Sequence, residues 1–525
     1  MGRKSTIKQV RKMKKSLFGI IYMSSYKIQL NIVDLKDFSV VEKLDSPSFI
    51  QASSKAQVFE QDMTKICTAL DGFKQKLAEY KIDDFKFYGN KQLINDSSAS
   101  FIADQIKART GFEIEWLSSS QIVYDKVLSG IKSLQDMQDM QLKQKPTYLL
   151  SLGSAMISLS LFENNKFIST WSLPLGPREI NQINEITNET PNNPIDVMSD
   201  YLGVKIDYLA RQIKANSNAA LVIQHADALN NNYLHENDSA MRISRDDFNS
   251  FYEKTITMPQ DILIQSYHLE PAVAEHMLPN LVSVQKFVKL LNPTELYITD
   301  MSVITGLLMQ EKYQKQYLKD ENGNDIIMTY AQHMAERYLV DQKHSEAVKK
   351  FALHLYDRLR RVHLLPEKDR KLLAIAAQID DIGSFVNQVR RYEQSAEIIE
   401  ANNIIGLSDQ DNEIVSEICC YQTVKEDQAS PFIGGHHYRH LDPQIQLEVA
   451  KLSAILRLAT ALDASHKQKI KKIVISLKKD KQLIVRAKTN ADITLERWSF
   501  NKRAQLFQDV FGIKVSLKQE GMNRR

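Results

Sequence analysis

The sequence predicts a multidomain α/β protein: an α/β unit that occurs twice, a long all-helical region and a small α/β cap. Three observations carry this. Short apolar runs with strand character open two stretches, near residues 17 and 148, and each is followed by helix-period segments. From 329 to about 466 the apolar spacing is helical throughout. After 470, strand-like alternation returns. With 43% apolar and 25% charged residues in 525, the chain has enough apolar surface for several cores, and it lacks the signature of disorder.

The first unit begins with strands at Leu17–Tyr22, at Ile28, Leu30 and Ile32, and at Val40 and Val41. A helix over 56–80 follows from the spacing of Val58, Met63, Ile66, Leu70, Phe73 and Leu77. A strand at Phe85–Tyr88 and helices around 97–110 and 119–131 complete it. The second unit repeats the opening, with strands at Tyr148–Leu152, Met156–Phe162 and Phe167–Leu173 and a turn at 163–165. Helices are expected at 176–186, 194–214, 245–256 and 272–290, and strands at Leu221–Ile223 and Glu295–Ile298. Polar stretches at 187–193 and 230–239 are surface loops, and 311–328 is a linker. The tail carries strands at Ile473–Ile475, Leu483–Val485 and Lys514–Leu517, with a helix at 499–510. The expected divisions are a basic tail 1–16, a first lobe 17–135, a second lobe 136–312, a helical domain 325–468 and a small α/β domain 469–525.

Composition narrows the function. No run approaches the roughly 18 apolar residues of a membrane span, so no membrane association is expected. The net charge is +4, but residues 1–15 hold seven basic residues and no acid, leaving the remainder at −3. The body is no bulk polycation, and nucleic acid is not an expected partner. Three cysteines, with no CxxC pair, exclude a disulfide framework or a structural zinc site and fit the cytoplasm. Only seventeen residues are Gly, less than half the usual level of about 7%, which is sparse for a protein that grips phosphate with Gly-rich loops.

Four segments resemble one family. Trp171–Arg178 (WSLPLGPR), Thr110–Glu113 (TGFE), Leu372–Gly383 (LLAIAAQIDDIG) and above all Leu456–His466 (LRLATALDASH) are similar, in order and spacing, to motifs of the exopolyphosphatase/guanosine pentaphosphate phosphohydrolase (Ppx/GppA) family. The resemblance spans nearly the whole chain. It implies two actin-like (ribonuclease-H-like) lobes, an HD-type helical domain, a small C-terminal α/β domain and a homodimer. It also implies phosphoanhydride hydrolysis, which needs donors around phosphate oxygens, a cation and a carboxylate that aligns or deprotonates water.

At the positions where the family places that chemistry, this chain differs. The first phosphate loop, Asp-x-Gly-Ser-Asn-Ser, aligns with Tyr22–Lys27 (YMSSYK), leaving Ser24 and Ser25 as phosphate contacts. The phosphate-binding Arg aligns with Gln92, which lacks a cationic fork. The catalytic Glu aligns with Gln121, whose amide cannot accept a proton near neutral pH. The second loop, Asp-x-Gly-Gly-Gly-Ser-x-Glu, aligns with Ser151–Ser158 (SLGSAMIS). Gly153 and Ser154 remain as phosphate contacts, and Ser151 and Ser158 stand at the two carboxylate positions that would hold Mg²⁺. The HD pair aligns with Asp380-Asp381. His436, His437 and His440 have metal-like spacing, but no carboxylate lies in register.

The resemblance therefore implies a family scaffold without its catalytic groups: an inactive protein that binds or regulates in polyphosphate or guanosine-phosphate metabolism. Its expected partners are polyphosphate or guanosine phosphates, an active paralogue or a polyphosphate kinase. Arg390, Arg391, Lys467, Lys469, Lys471 and Lys472 are the candidate polyanion contacts. No resident cofactor is expected. The alternative is an active exopolyphosphatase or pentaphosphate phosphohydrolase using displaced acids such as Asp125 or Asp300, which would need Mg²⁺. Asp125 lies one helical turn beyond Gln121 and is expected on the same face.

Overall fold

The computed structural model describes residues 17–24, 27–48, 60–94, 96–137, 145–153, 155–164, 166–176, 193–213, 218–224, 227–234, 240–269, 271–313, 325–422, 436–478 and 482–521. The chain separates into two compact units, 1–326 and 327–525. The helix expected at 176–186 lies almost wholly outside the described residues, as does most of the linker.

The first unit holds two sheets of one topology. Strands β1 (Leu17–Met23), β2 (Lys27–Asp34), β3 (Ser39–Pro47), β4 (Phe85–Asn90) and β5 (Glu115–Leu117) form a sheet in the order β3-β2-β1-β4-β5. The first three are antiparallel, and β4 and β5 run parallel to β1. Strands β6 (Thr147–Ser151), β7 (Ile157–Glu163), β8 (Lys166–Leu173), β9 (Ala220–Gln224), β10 (Ala240–Ile243) and β11 (Glu295–Thr299) repeat that order as β8-β7-β6-β9-β11, with β10 added antiparallel at the edge. This is the ribonuclease-H-like arrangement of actin-like proteins, present twice. Strands β5 and β10 escape the sequence reading because three or four residues cannot show a period.

The apolar run of β1 reflects a strand covered on both faces. Ile21 and Met23 enter a core with helices α1 (Glu60–Tyr80) and α2 (Asp96–Thr110). Phe18, Ile20 and Tyr22 point to the other face, against Val303, Ile304, Leu307 and Leu308. Period-two side-chain direction makes this division unavoidable. Strand β3 lies at the sheet edge and is largely exposed, hence its mixed composition.

Two helices interlock the sheets. Helix α3 (Ser119–Asp136) is buried on nearly every side, and it packs on β6 of the second sheet. The second sheet carries α4 (Pro194–Ala210), α5 (Asp227–Tyr233), α6 (Arg245–Thr255), α7 (Gln260–Tyr267) and α8 (Pro271–Leu291). Helix α9 (Val303–Lys312), which follows that sheet in sequence, packs on β1 of the first. Helices α3 and α9 meet at Gly306, where a Cβ would lie 2.1 Å from the carbonyl oxygen of Asp125.

The second unit runs through α10 (Ile326–Arg337), α11 (Gln342–Arg358), α12 (Arg360–His363), α13 (Glu367–Ile379), α14 (Arg391–Ala401), α15 (Asp409–Cys420), α16 (His436–His440) and α17 (Pro443–Ala461). Helix α17 is the central element: Leu452, Ile455, Leu456 and Leu458 are fully buried against its neighbours. Helix α18 (Thr494–Phe511) joins it to a sheet of β12 (Lys472–Lys478), β13 (Gln482–Lys488) and β14 (Lys514–Glu520). No helix among the described residues is long and apolar enough to cross a membrane.

The α3–α9 contact makes a prediction. Gly306→Ala must push backbone away from backbone and is expected to destabilise by about 1–3 kcal/mol. Gly203→Ala on α4, where only the mobile Lys286 ammonium approaches, at 3.5 Å, is expected to be neutral or to stabilise by up to about 1 kcal/mol. Urea denaturation of both variants checks the contrast.

Candidate functional site

The carboxyl ends of the parallel strands bring the sequence candidates to two sheet edges. In the first sheet, Met23 pairs with Gly89, and Asn90 with Leu117. Ser24, Gln92 and Gln121, each just beyond β1, β4 and β5, therefore follow one edge. In the second sheet, Ser151 is aligned with Gln224, and Gln224 with Thr299. Ser151 and Ser158 are direct cross-strand partners. The two positions at which Mg²⁺-binding carboxylates were expected are thus adjacent in space, and both serines are buried.

Each candidate is occupied by local bonding. Ser24 closes the β1–β2 turn: its Oγ donates to the Lys27 carbonyl at 3.1 Å and accepts from Lys27 N at 3.2 Å. Lys27 pairs with Asp45 at 3.4 Å. Gln92 sits in a single 3₁₀ turn whose cap is Asn90, and Lys91 pairs with Asp96 at 2.7 Å. Gln121 is the third residue of α3 and forms a capping box with Ser118. Its Oε1 accepts from Ser118 N at 3.0 Å, and its own N–H donates to Ser118 Oγ at 3.3 Å. Glu would serve that cap equally well, so the helix start does not distinguish amide from acid. Ser25 and Ser154 lie outside the described residues.

At the second edge a neutral network fills the space. Ser151 Oγ donates to Gln224 Oε1 at 2.5 Å, Gln224 Nε2 donates to Ser129 Oγ at 2.8 Å, and Ser129 Oγ donates to the Lys126 carbonyl at 2.9 Å. Ser133 and Thr299 hydroxyls are 2.8 Å apart. No group of three or more His, Cys, Asp or Glu side chains suited to a metal ion occurs among the described residues.

Two charged side chains are nevertheless buried there. Asp125 lies one turn beyond Gln121 on the continuous helix α3, and its carboxyl is bonded to α9: it accepts from Gln310 Nε2 at 2.5 Å, and its second oxygen has no hydrogen-bond partner among the described residues. Burial, the largest influence, and the nearby Glu115 hold its carboxyl well above the usual range despite the Gln310 bond. Asp300 is exposed beyond β11. The next residue, Lys126, was not foreseen. It is 6% exposed, and among the described residues its ammonium hydrogen-bonds only the Leu152 carbonyl, at 3.4 Å. A Cβ at Gly153 would meet that nitrogen at 2.8 Å and the Met156 carbonyl oxygen at 2.7 Å. Burial alone pushes the Lys126 pKa down to about 8. The sequence signal was two charges, Asp125 and Lys126, inside an otherwise apolar helical run, Ile122–Ile131.

The second unit places its own candidates differently. Asp380 is 2% exposed, and burial together with Asp381 raises its carboxyl to about 7. His344, missed in the sequence, lies on α11 with Nδ1 2.9 Å from Asp463 Oδ2. His344 stacks on His466 at 3.6 Å and 8°. His466 is held below the usual imidazole range, first by burial and then by His344. Asp463 is held below the carboxylate range because His344 and Gln468 hydrogen bonds outweigh its burial. It is therefore an acceptor, and the proton lies on His344 Nδ1. Of the candidate polyanion contacts, Arg390 bonds Glu393 at 2.5 Å, Lys469 pairs with Glu496 at 3.4 Å, and Lys467, Lys471 and Lys472 are exposed. Arg391 instead turns inward, to Asp381 at 3.3 Å. The side chains of His436 and His437 lie outside the described residues, and His440 is exposed.

Residues 326–508, which include the LRLATALDASH helix end and the Asp380-Asp381 turn, match Ppx/GppA phosphatase, domain III. This match, over about a third of the chain, supports the resemblance to the Ppx/GppA phosphatase family. Solved structures similar to this chain include an exopolyphosphatase from Cytophaga hutchinsonii, at 13% identity over 57% of this chain and 98% of the other, with a TM-score of 0.48. A Ppx/GppA family member from Aquifex aeolicus is 15% identical over 57% and 99%, with a TM-score of 0.46. A Bacteroides thetaiotaomicron protein with an actin-like ATPase fold is 8% identical over 57% and 97%, with a TM-score of 0.27. No curated protein sequence matches the chain.

The depressed Lys126 pKa has a stability consequence. Between about 8 and the ordinary 10.5 the unfolded chain holds the proton that the folded one has lost, so this group makes the protein more stable as pH rises through that window. Lys126→Met is expected to abolish that part of the rise and to stabilise the protein at pH 7. Melting temperatures of both proteins from pH 7 to 10 check it.

Proposed function

We propose that this Ppx/GppA-family chain is a non-hydrolysing member that acts in the cytoplasm by binding polyphosphate or guanosine phosphates, in regulation and not in turnover. One observation carries the reading. At the strand ends where hydrolysis needs ionised carboxylates, Ser151, Gln224 and Ser129 are hydrogen-bonded to one another as neutral groups, with Ser158 buried beside them. A hydroxyl–amide chain neither holds Mg²⁺ as carboxylates do nor takes a proton from water. The buried acid nearby, Asp125, has its carboxyl pushed well above the usual range by burial and is bonded to Gln310. This disfavours hydrolysis through a displaced base.

Binding has a different support. Lys126 supplies a buried positive charge beside Gly153, at the second loop, with one long bond to a carbonyl. An ammonium so placed attracts a phosphoryl group, but it has no carboxylate partners with which to organise attacking water. The expected partners, an active paralogue or a polyphosphate kinase, fit a protein that sequesters or presents the ligand. A homodimer is part of the same proposal.

The test uses the purified full chain with polyphosphate and Mg²⁺. The expected result is no orthophosphate release, retained binding by filter assay, and binding about tenfold weaker in Lys126→Met, the effect of one lost charge-assisted contact. Phosphate release that disappears in Asp125→Asn would overturn the proposal and establish hydrolysis by displaced residues.

A further inference from the structure

The small sheet of the second unit has two unlike faces. Direct partners on neighbouring strands point to the same side, and sides alternate along each strand. One face carries Ile473, Leu483, Val485, Ala487 and Leu517, all buried. The other receives four residues from each of β12, β13 and β14. Six of these twelve are cations: Lys472, Lys478, Arg486, Lys488, Lys514 and Lys518. One is an acid, Glu520, which lies 3.8 Å from Lys488. The other five cations have no ion-pair partner among the described residues, and the four lysines of β12 and β14 are exposed.

Lysine on an edge strand deters unwanted strand pairing, and β12 and β14 are edges. That explanation fails for β13, which is paired on both sides and still carries Arg486 and Lys488. The register is also unfavourable for the protein alone. Lys472 stands directly opposite Lys488, and Arg486 directly opposite Lys518. Like charges so placed are destabilising. Arg486 has a neutral partner, donating to Ser476 Oγ at 3.0 Å. A polyanion laid on this face relieves the repulsion.

Shape selects the polyanion. The cations are spread over three strands, about 10 Å across and about 20 Å along, so they match an area and not a single thread such as polyphosphate. No aromatic ring stands on this face, so unpaired bases have no platform on which to stack. A double helix presents two phosphate ridges, with about twelve charges over about 20 Å. In B-form DNA the ridges flank a minor groove about 6 Å wide, which lysines on β12 and β14 straddle, whereas in A-form RNA that groove is wide. We propose that this face docks double-stranded DNA through its phosphates, without reading base sequence. The whole-chain charge of +4 gives no sign of it, because that sum averages over every surface. The face stands apart from the strand-edge site and does not depend on it.

Fluorescence anisotropy of the full chain with a labelled DNA duplex of about 20 base pairs tests this. Binding is expected with a Kd of about 1–10 µM at about 50 mM salt and about 100-fold weaker at about 200 mM, the slope for about four phosphates. Arg486→Gln with Lys518→Gln is expected to weaken binding at least about tenfold and to lower the salt slope by about 2. Lys205→Gln with Arg211→Gln removes the same charge at α4, and is expected to change binding less than about twofold. The single strand and an RNA duplex of the same length are expected to bind more weakly. Should the Arg486 and Lys518 variant fail to fold, Lys478→Gln with Lys514→Gln, both exposed, reads the same face and must weaken binding. The proposal is overturned by no anisotropy change up to about 100 µM protein at about 50 mM salt, by affinity independent of salt, or by a sheet variant that binds as tightly as the parent. Equal binding of the single strand or the RNA duplex overturns it too, as does displacement of the duplex by polyphosphate or phosphatidylserine vesicles at a lower phosphate concentration.

Discussion

The first unit depends on the burial of α3 between two sheets. Gly306 lets the backbone of α9 approach Asp125, and α3 is left with almost no solvent-facing side. Two consecutive charged residues are therefore carried into the interior. Burying an ion costs several kcal/mol after relaxation unless it is paired or neutralised. Here both groups move toward neutrality. The Asp125 carboxyl is pushed up and the Lys126 ammonium down, and burial is the largest cause in each case. The electrostatic character of the strand ends follows from that one packing constraint.

The same constraint separates scaffold from reaction. The duplicated strand order still aims β1, β4 and β5 of one sheet, and β6, β9 and β11 of the other, so that their carboxyl ends form continuous edges. Ser151 and Ser158 are cross-strand neighbours, as two metal-binding carboxylates would be. What is missing is charge at those positions. Hydroxyl and amide groups there let the edge satisfy itself internally through Ser151, Gln224 and Ser129. Gln121 shows the same economy, because the capping box at the start of α3 uses an amide as readily as a carboxylate. The second unit solves a related problem by another route. Asp463 is held below the carboxylate range because His344 and Gln468 bond to it, whereas Asp380, buried and beside Asp381, is raised to about 7.

Much of the architecture was legible from periodicity. The long helices and the two three-strand openings announced themselves because an element covered on one or both faces repeats apolar residues at 3.6 or 2. Strands β5 and β10 were not legible, being too short for a period. The candidate positions around Ser24, Gln92, Gln121, Ser151 and Ser158 were legible only through motif resemblance. Their present partners were not, since each bond joins residues from different elements. Asp125 is the clearest case. Helical spacing places it one turn from Gln121, but Gln310, 185 residues on, decides where its carboxyl lies.

By itself, the sequence determined which residues are available: a family domain over 326–508, two α/β openings, few glycines, and serine or glutamine where acids were expected. These are properties of composition and local order, which a one-dimensional pattern records. Only the tertiary structure decided which charges are buried, which are paired, and that Arg391, Asp380 and Arg503 face one cavity. The reason is that desolvation and Coulomb interaction depend on distance in space and on excluded water, neither of which the spacing of residues along the chain contains.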